Sequence, residues 1–145
     1  MTCIAWDGRE LVADRQCTIG GTPIPFRKVY RVRAPNRRVA LVGYCGTAAF
    51  VRAHLHWLAG GERPEFRHER FRWSVLMIDD ERRVWRRDED ADFWEEMLVR
   101  YWALGSGAEY ALGVMAAGHS AREAIRIASK LDNQTGLGMN VVRFE

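Results

Sequence analysis

Four apolar residues, Cys3-Ile4-Ala5-Trp6, begin directly after Thr2 and run into Asp7-Gly8, a dipeptide that favours tight hairpin turns. The chain is thereby committed to a strand from its third residue, with Glu10 to Ala13 as the returning strand and Thr2 at the head of the first. Gly20 to Pro25 reads as loop. Lys28 to Arg33 alternates apolar and basic residues with the period of a half-buried strand, and Pro35-Asn36 makes the next turn. Val39 to Val42 is a buried strand running into Gly43-Tyr44-Cys45-Gly46. From Thr47 the spacing of Ala48, Val51, Leu55 and Leu58 predicts a helix that stops at Gly60-Gly61.

Residues 62–69 read as charged linker. Phe71, Trp73, Val75 and Met77 alternate with polar or smaller residues, Asp79-Asp80 turns the chain and Val84-Trp85 returns it, which makes a second hairpin. Asp90 to Met97 is compatible with a short helix or an acidic loop. Leu98 to Leu104 reads as a strand ending at Gly105-Ser106-Gly107. Two helices follow, divided at Gly118-His119-Ser120, where Ser120 and Glu123 have capping-box spacing, and Asn140 to Phe144 closes as a strand. No repeat or low-complexity segment interrupts this order of β, helix, β, helices, β. It implies an α+β fold with helices segregated outside sheets.

A chain of 145 residues with 48% hydrophobic content suits one domain, 1–145. Met1 is followed by neither a basic segment nor a long apolar stretch, and no apolar run approaches membrane-spanning length, so the expectation is a cytoplasmic protein with no membrane partner and no propeptide before Thr2. Three cysteines without a close pair, Cys3, Cys17 and Cys45, fit reduced thiols. The net charge of +3 is carried almost wholly by arginine, and the arginines between residues 62 and 90 are interleaved with acids, a pattern that argues against nucleic acid and for a solvated or subunit-contacting face. Only two lysines occur, Lys28 and Lys130, although a lone surface lysine is common. His54 and His56 fall on different helix faces, and His68 and His119 lack ligand partners, so neither a metal nor a cofactor is expected.

Thr2 has chemistry of its own. A small residue behind Met1 permits methionine removal, after which one residue would carry a nucleophilic hydroxyl and an α-amine able to act as its base. That amine has a reference pKa of roughly 7.7–8.0, so a modest depression leaves it basic at neutral pH. A threonine at position 2 is otherwise ordinary. The glycine turn at 43–46 offers backbone N–H groups at a helix N-terminus, suited to a developing oxyanion. Gly105-Ser106-Gly107 presents a hydroxyl, or simply a serine N-cap. Asp132 to Gly136 places a carboxylate and the Thr135 hydroxyl three residues apart, or simply ends a helix.

Taken in order, these blocks resemble the proteasome β-subunit family and its bacterial heat-shock-locus relatives, which are N-terminal-nucleophile hydrolases. The resemblance rests on Thr2, Ala13-Asp14, Lys28-Val29, Tyr44 to Ala49, Gly105-Ser106-Gly107 and Asp132 to Gly136, and spans nearly the whole chain. It implies a four-layer αββα sandwich. It also implies Thr2 as the nucleophile of a threonine peptidase, Lys28 beside it to lower the pKa of amine and hydroxyl, and Asp14 to orient the lysine. Ser106, Asp132 and Thr135 would position the amine. The Gly46 N–H would hold the oxyanion, with Gly43 as the alternative donor, and Cys17, Phe26, Tyr44 and Thr47 would line the substrate pocket. The implied partners are a peptide or unfolded protein as substrate, further copies in homo-oligomeric stacked rings, and an ATP-driven unfoldase.

The chain departs from the family pattern in several places. Only one helix fits between the glycine turn and the charged linker, where the family has a helical hairpin, so the helical region is shortened. Ala49 stands where aspartate is common, and Arg15 follows Asp14 where a small residue is usual. Two other readings accompany the peptidase. One is an N-terminal-nucleophile amidase acting on a small substrate, and the other is a catalytically silent assembly or binding protein.

Overall fold

Strand β1 (Cys3–Trp6) is buried along its whole length because it is sandwiched on both faces, and its alternation sorts its side chains between two cores. Ile4 and Trp6 face one core and Cys3 and Ala5 the other. The computed structural model describes residues 2–65, 72–89, 91 and 93–145. Phe71 and residues 66–69 of the charged linker lie outside the described residues.

Asp7 explains the tight return into β2 (Leu11–Asp14). Its Oδ1 accepts from the Arg9 and Glu10 amides, both at 2.9 Å, while Oδ2 accepts from the Ala121 amide at 2.8 Å. One carboxylate thus sets the hairpin and ties it to the start of a helix 114 residues later. β1 and β2 join β10 (Trp102–Gly105) and β11 (Met139–Val142) in an antiparallel sheet ordered β10-β1-β2-β11. A second antiparallel sheet has the order β5-β6-β7-β8-β9, formed by Val29–Arg33, Val39–Gly46, Trp73–Ile78, Val84–Asp88 and Glu95–Met97. Between the sheets, Ile4, Trp6, Leu11 and Ala13 pack against Val29, Leu41, Leu76 and Ile78. The two sheets approach closely at Gly43, where a Cβ would lie 2.9 Å from Ile4 Cγ2 and force that side chain to shift.

Helices α2 (Ala108–Ala116) and α3 (Ala121–Leu131) cover the outer face of the first sheet. In α3, Ala121, Ala124, Ile125 and Ala128 recur at helical spacing, and the alanines let the helix sit close to β1 and β2. Ser120 caps it by accepting from the Glu123 amide at 3.2 Å. Glu123, read as the reciprocal member of a capping box, instead pairs with Arg126. The outer face of the second sheet carries α1 (Ala48–Leu58), whose Phe50 and Val51 pack on Val42, Tyr44, Trp73 and Val75. The layers therefore run helices, sheet, sheet, helix, and the fold is an αββα sandwich. The described residues between α1 and β7, 59–65 and 72, hold no helix, so α1 is the whole helical cover described on that side.

Gly20 to Pro25 differs from its reading as loop. Gln16–Ile19 and Thr22–Pro25 form β3 and β4, a separate two-stranded ribbon turned by Gly20 and Gly21 at positive φ. β10 is also shorter than read, beginning at Trp102. The interleaved charges between 79 and 88 pair within the chain: Arg83 with Asp79 at 2.8 Å and with Glu81 at 3.3 Å, and Arg86 with Asp88 at 2.7 Å. Exposed pairs of this kind add little to stability, because solvent screens them. Among the described residues no helix is long and apolar enough to cross a membrane.

Candidate active site

The end of β2 sets the centre of the site. Asp14 is wholly buried, a position that a carboxylate tolerates only when its oxygens are fully engaged. Its Oδ1 accepts from the Thr2 hydroxyl at 3.2 Å, the Cys3 amide at 2.9 Å and Lys28 Nζ at 2.8 Å. Its Oδ2 accepts from the Gln16 and Gly136 amides, each at 3.1 Å. Lys28, 4% exposed, enters from the residue before β5, and its ion pair with Asp14 brings an ammonium to the oxygen that also holds the Thr2 hydroxyl.

Strand register brings the second group to the same place. Cys3 lies opposite Gly105 in the β1–β10 pair, so Ser106 falls beside Thr2. Ser106 Oγ donates to Asp132 Oδ2 at 2.6 Å and approaches the Thr2 carbonyl at 3.4 Å. Thr135 Oγ1 donates to the same Asp132 oxygen at 2.6 Å, and the Gln134 amide to Oδ1 at 3.1 Å. Burial alone would raise the Asp132 carboxyl, but the hydrogen bonds from Ser106, Thr135 and Gln134 outweigh it and hold it below the usual carboxylate range. Asp132 is thus an acceptor at neutral pH. The alternative reading of Ser106 as a helix cap does not hold, since α2 is capped by Gly107 without a side-chain bond.

Two glycines make this approach possible. A Cβ on Gly105, which has φ +98, would stand 1.9 Å from the Thr2 carbonyl oxygen. A Cβ on Gly107 would stand 2.9 Å from Cys3 Cβ and 3.0 Å from Thr135 Oγ1. Gly105→Ala therefore combines backbone strain with a backbone clash, and is expected to destabilise the fold by about 3 kcal/mol or more. Chemical denaturation checks this, and an unchanged midpoint would contradict the close packing of β10 on Thr2.

A small cavity of about 30 Å³ opens beside the nucleophile candidate, lined by Thr2, Gln16, Cys17, Phe26, Lys28, Tyr44, Gly46, Ala48 and Val51. Cys17, Phe26 and Tyr44 thus stand where the pocket was expected. Thr47 does not: it caps α1, with its hydroxyl 3.5 Å from the Arg72 carbonyl. Of the two glycines considered for the oxyanion, Gly46 lines the cavity and turns the chain out of β6 at φ +101. Gly43 lies three residues back, paired on both sides inside the sheet. Burial pushes the Cys3 thiol up, with Asp14 adding to it, and pushes Cys45 up to about 12, so neither is a thiolate at neutral pH. Among the described residues no group of three or more His, Cys, Asp or Glu side chains could hold a metal ion.

Sequence reasoning missed the Gln16 and Gly136 amides on Asp14, because backbone donors leave no mark in the residue type. It also missed Ala48 and Val51 as cavity walls and the contact between Tyr44 and His54. The signal for His54 was its place on the apolar stripe of α1, beside Phe50, Val51 and Leu55.

No protein-family model matches the sequence, and no curated protein matches it. Solved structures do match. HslV from Trypanosoma brucei is 19% identical, with 97% of each chain covered and a TM-score of 0.66. A Gly-1 mutant of Anbu from Hyphomicrobium sp. strain MC1 is 12% identical over 100% of this chain and 82% of that one, with a TM-score of 0.76. Anbu, an ancestral beta-subunit, from Yersinia bercovieri is 14% identical over 98% and 80%, with a TM-score of 0.72. The αββα sandwich is accordingly the proteasome-like fold that the chain shares with HslV and Anbu.

Proposed function

We propose that this proteasome-like chain is a threonine-type peptidase whose nucleophile is Thr2, freed by cleavage of the Met1–Thr2 bond. The observation that carries the reading is the convergence of the Thr2 hydroxyl and Lys28 Nζ on one oxygen of buried Asp14. While Met1 is attached, the Thr2 nitrogen is an amide and cannot serve as a base; its removal supplies the α-amine.

The chemistry then follows from the groups present. The amine takes the hydroxyl proton, directly or through a water, as Oγ1 attacks the substrate carbonyl, and the Gly46 N–H stabilises the resulting oxyanion. Collapse breaks the C–N bond, and the leaving amine carries away the proton held by the α-ammonium. Water, deprotonated by the same amine, hydrolyses the ester and restores Thr2. Lys28 makes protonation of the amine less favourable and supports charge on Oγ1, while Ser106, Asp132 and Thr135 hold the amine in line. Cys17, Phe26 and Tyr44 form the wall that receives the substrate side chain.

In this reading the protein works on peptides or unfolded protein inside a homo-oligomer of two stacked rings, served by an ATP-driven unfoldase. The cavity of about 30 Å³ favours a second reading, an amidase for a small substrate. Capped fluorogenic peptides and light scattering separate the two. Peptide hydrolysis by an oligomer larger than a dimer is expected, and a strict monomer that cleaves only small amides would replace the peptidase with the amidase.

A further inference from the structure

Tyr44 is fixed at both ends. Its amide donates to the Lys28 carbonyl at 2.9 Å, and its hydroxyl is hydrogen-bonded to Nδ1 of His54 at 2.7 Å. Between these anchors the ring forms part of the wall of the cavity that holds Thr2. His54 comes from the middle of α1, is wholly buried, and is enclosed by the rings of Phe50, Trp57 and Trp94 at centroid distances of 5.3, 5.4 and 5.9 Å. Phe50 stacks on Trp73 at 4.2 Å, so the enclosure is braced by β7 as well. An apolar residue would fill such a site with less cost than an imidazole, whose polar atoms must be satisfied in the interior. Burial, with the nearby Arg87 guanidinium adding to it, pulls the His54 pKa down to about 4, so a neutral imidazole meets the phenol.

We infer that His54 is a positioning residue for substrate selection: through the Tyr44 hydroxyl it fixes the wall of the side-chain pocket beside Thr2. The inference rests on the peptidase reading for the identity of the pocket and deepens it by adding a residue that never touches substrate. Released from His54, the Tyr44 ring gains rotational freedom, the pocket loses its fixed depth and discrimination between side chains of different size falls. The class of ligand affected is a peptide whose terminal side chain lies at the mouth of the cavity, against the Tyr44 wall.

The test compares two substitutions that separate hydrogen bonding from packing. His54→Phe keeps an aromatic ring and removes the hydrogen-bonding nitrogen, whereas His54→Asn places a side-chain amide, with both a donor and an acceptor, near the Nδ1 position and gives up ring volume. Binding of N-acetyl tripeptides ending in Ala, Leu or Phe is measured by calorimetry, with kcat and KM for the matching amides. His54→Phe is expected to change the Leu-to-Phe affinity ratio by about tenfold, the scale of one misfitted methylene or more. His54→Asn is expected to keep the wild-type ratio within about threefold, with the change in His54→Phe appearing in KM more than in kcat. Should His54→Phe fail to fold, Tyr44→Phe removes the same hydrogen bond with both rings retained and is expected to shift the ratio similarly.

An unchanged ratio in folded His54→Phe, or in Tyr44→Phe, would overturn the inference, as would a larger change in His54→Asn than in His54→Phe. Wild-type protein that binds no tripeptide would overturn the inference and the pocket assignment together. Peptide binding and discrimination without hydrolysis would overturn the peptidase reading alone.

Discussion

Thr2→Ala is expected to hydrolyse peptides more slowly than the wild type by on the order of 10⁶-fold, the scale on which removal of a nucleophile acts. The substitution deletes Oγ1 and leaves the α-amine, Lys28 and the Asp132 group in place, so the loss isolates the bond-forming atom. Stability changes little. Asp14 keeps the Cys3, Lys28, Gln16 and Gly136 donors, and only the 3.2 Å contact from Thr2 is lost, a change of about 1 kcal/mol. Steady-state kinetics with thermal unfolding separates these effects. A folded Thr2→Ala variant with wild-type turnover would remove Thr2 from the chemistry.

Lys28→Met acts on both stability and rate. Asp14 is 0% exposed, and deleting its ammonium partner leaves a buried charge with neutral donors only, which costs about 3–5 kcal/mol. The rate is expected to fall by about 10²–10⁴-fold, as it does when a positioned group that tunes proton transfer is lost. Lys28→Arg distinguishes charge from geometry, because it keeps the positive charge but replaces a compact ammonium with a planar guanidinium in a site 4% exposed. Its stability recovers in part, while its rate stays low by a similar factor. A Lys28→Arg variant that retains most of its rate would reduce Lys28 to a structural ion pair.

The parts of this fold that sequence reveals are those specified by local chemistry. Asp7-Gly8 marks the first hairpin because the turn needs a short acceptor and a positive φ, which Gly8 supplies at +94°. α1 and α3 are legible from Thr47, Ser120 and the spacing of their buried residues. The β3–β4 ribbon is not, because Pro23 and Pro25 in Thr22–Pro25 speak against a strand. As one strand of a two-stranded ribbon, β4 has an unpaired edge, and the missing amides cost little there.

The candidate site divides in the same way. Thr2, Asp14, Lys28, Ser106, Asp132 and Thr135 stand out as residue types in an order, and a resemblance supplies their roles. What brings them together is long-range register: Cys3 opposite Gly105, Ile4 opposite Ala13, Met139 opposite Asp14. No local pattern encodes these pairings. Thr47 illustrates the converse, a residue of suitable type whose place at the α1 cap keeps it out of the cavity wall. The arginine and acid pairs of residues 79–88 likewise form within the chain, leaving less for the subunit contacts that are one of the two readings of their sequence.

A peptide epoxyketone tests the central claim most directly, because its ring closure needs a hydroxyl and a free α-amine on the same residue. Intact mass and peptide mapping after incubation locate the adduct and read the N-terminus together. The expected result is one adduct, on Thr2, in a chain that has lost Met1. An adduct on Cys17, or full peptidase activity in a chain that retains Met1, would contradict Thr2 as an N-terminal nucleophile.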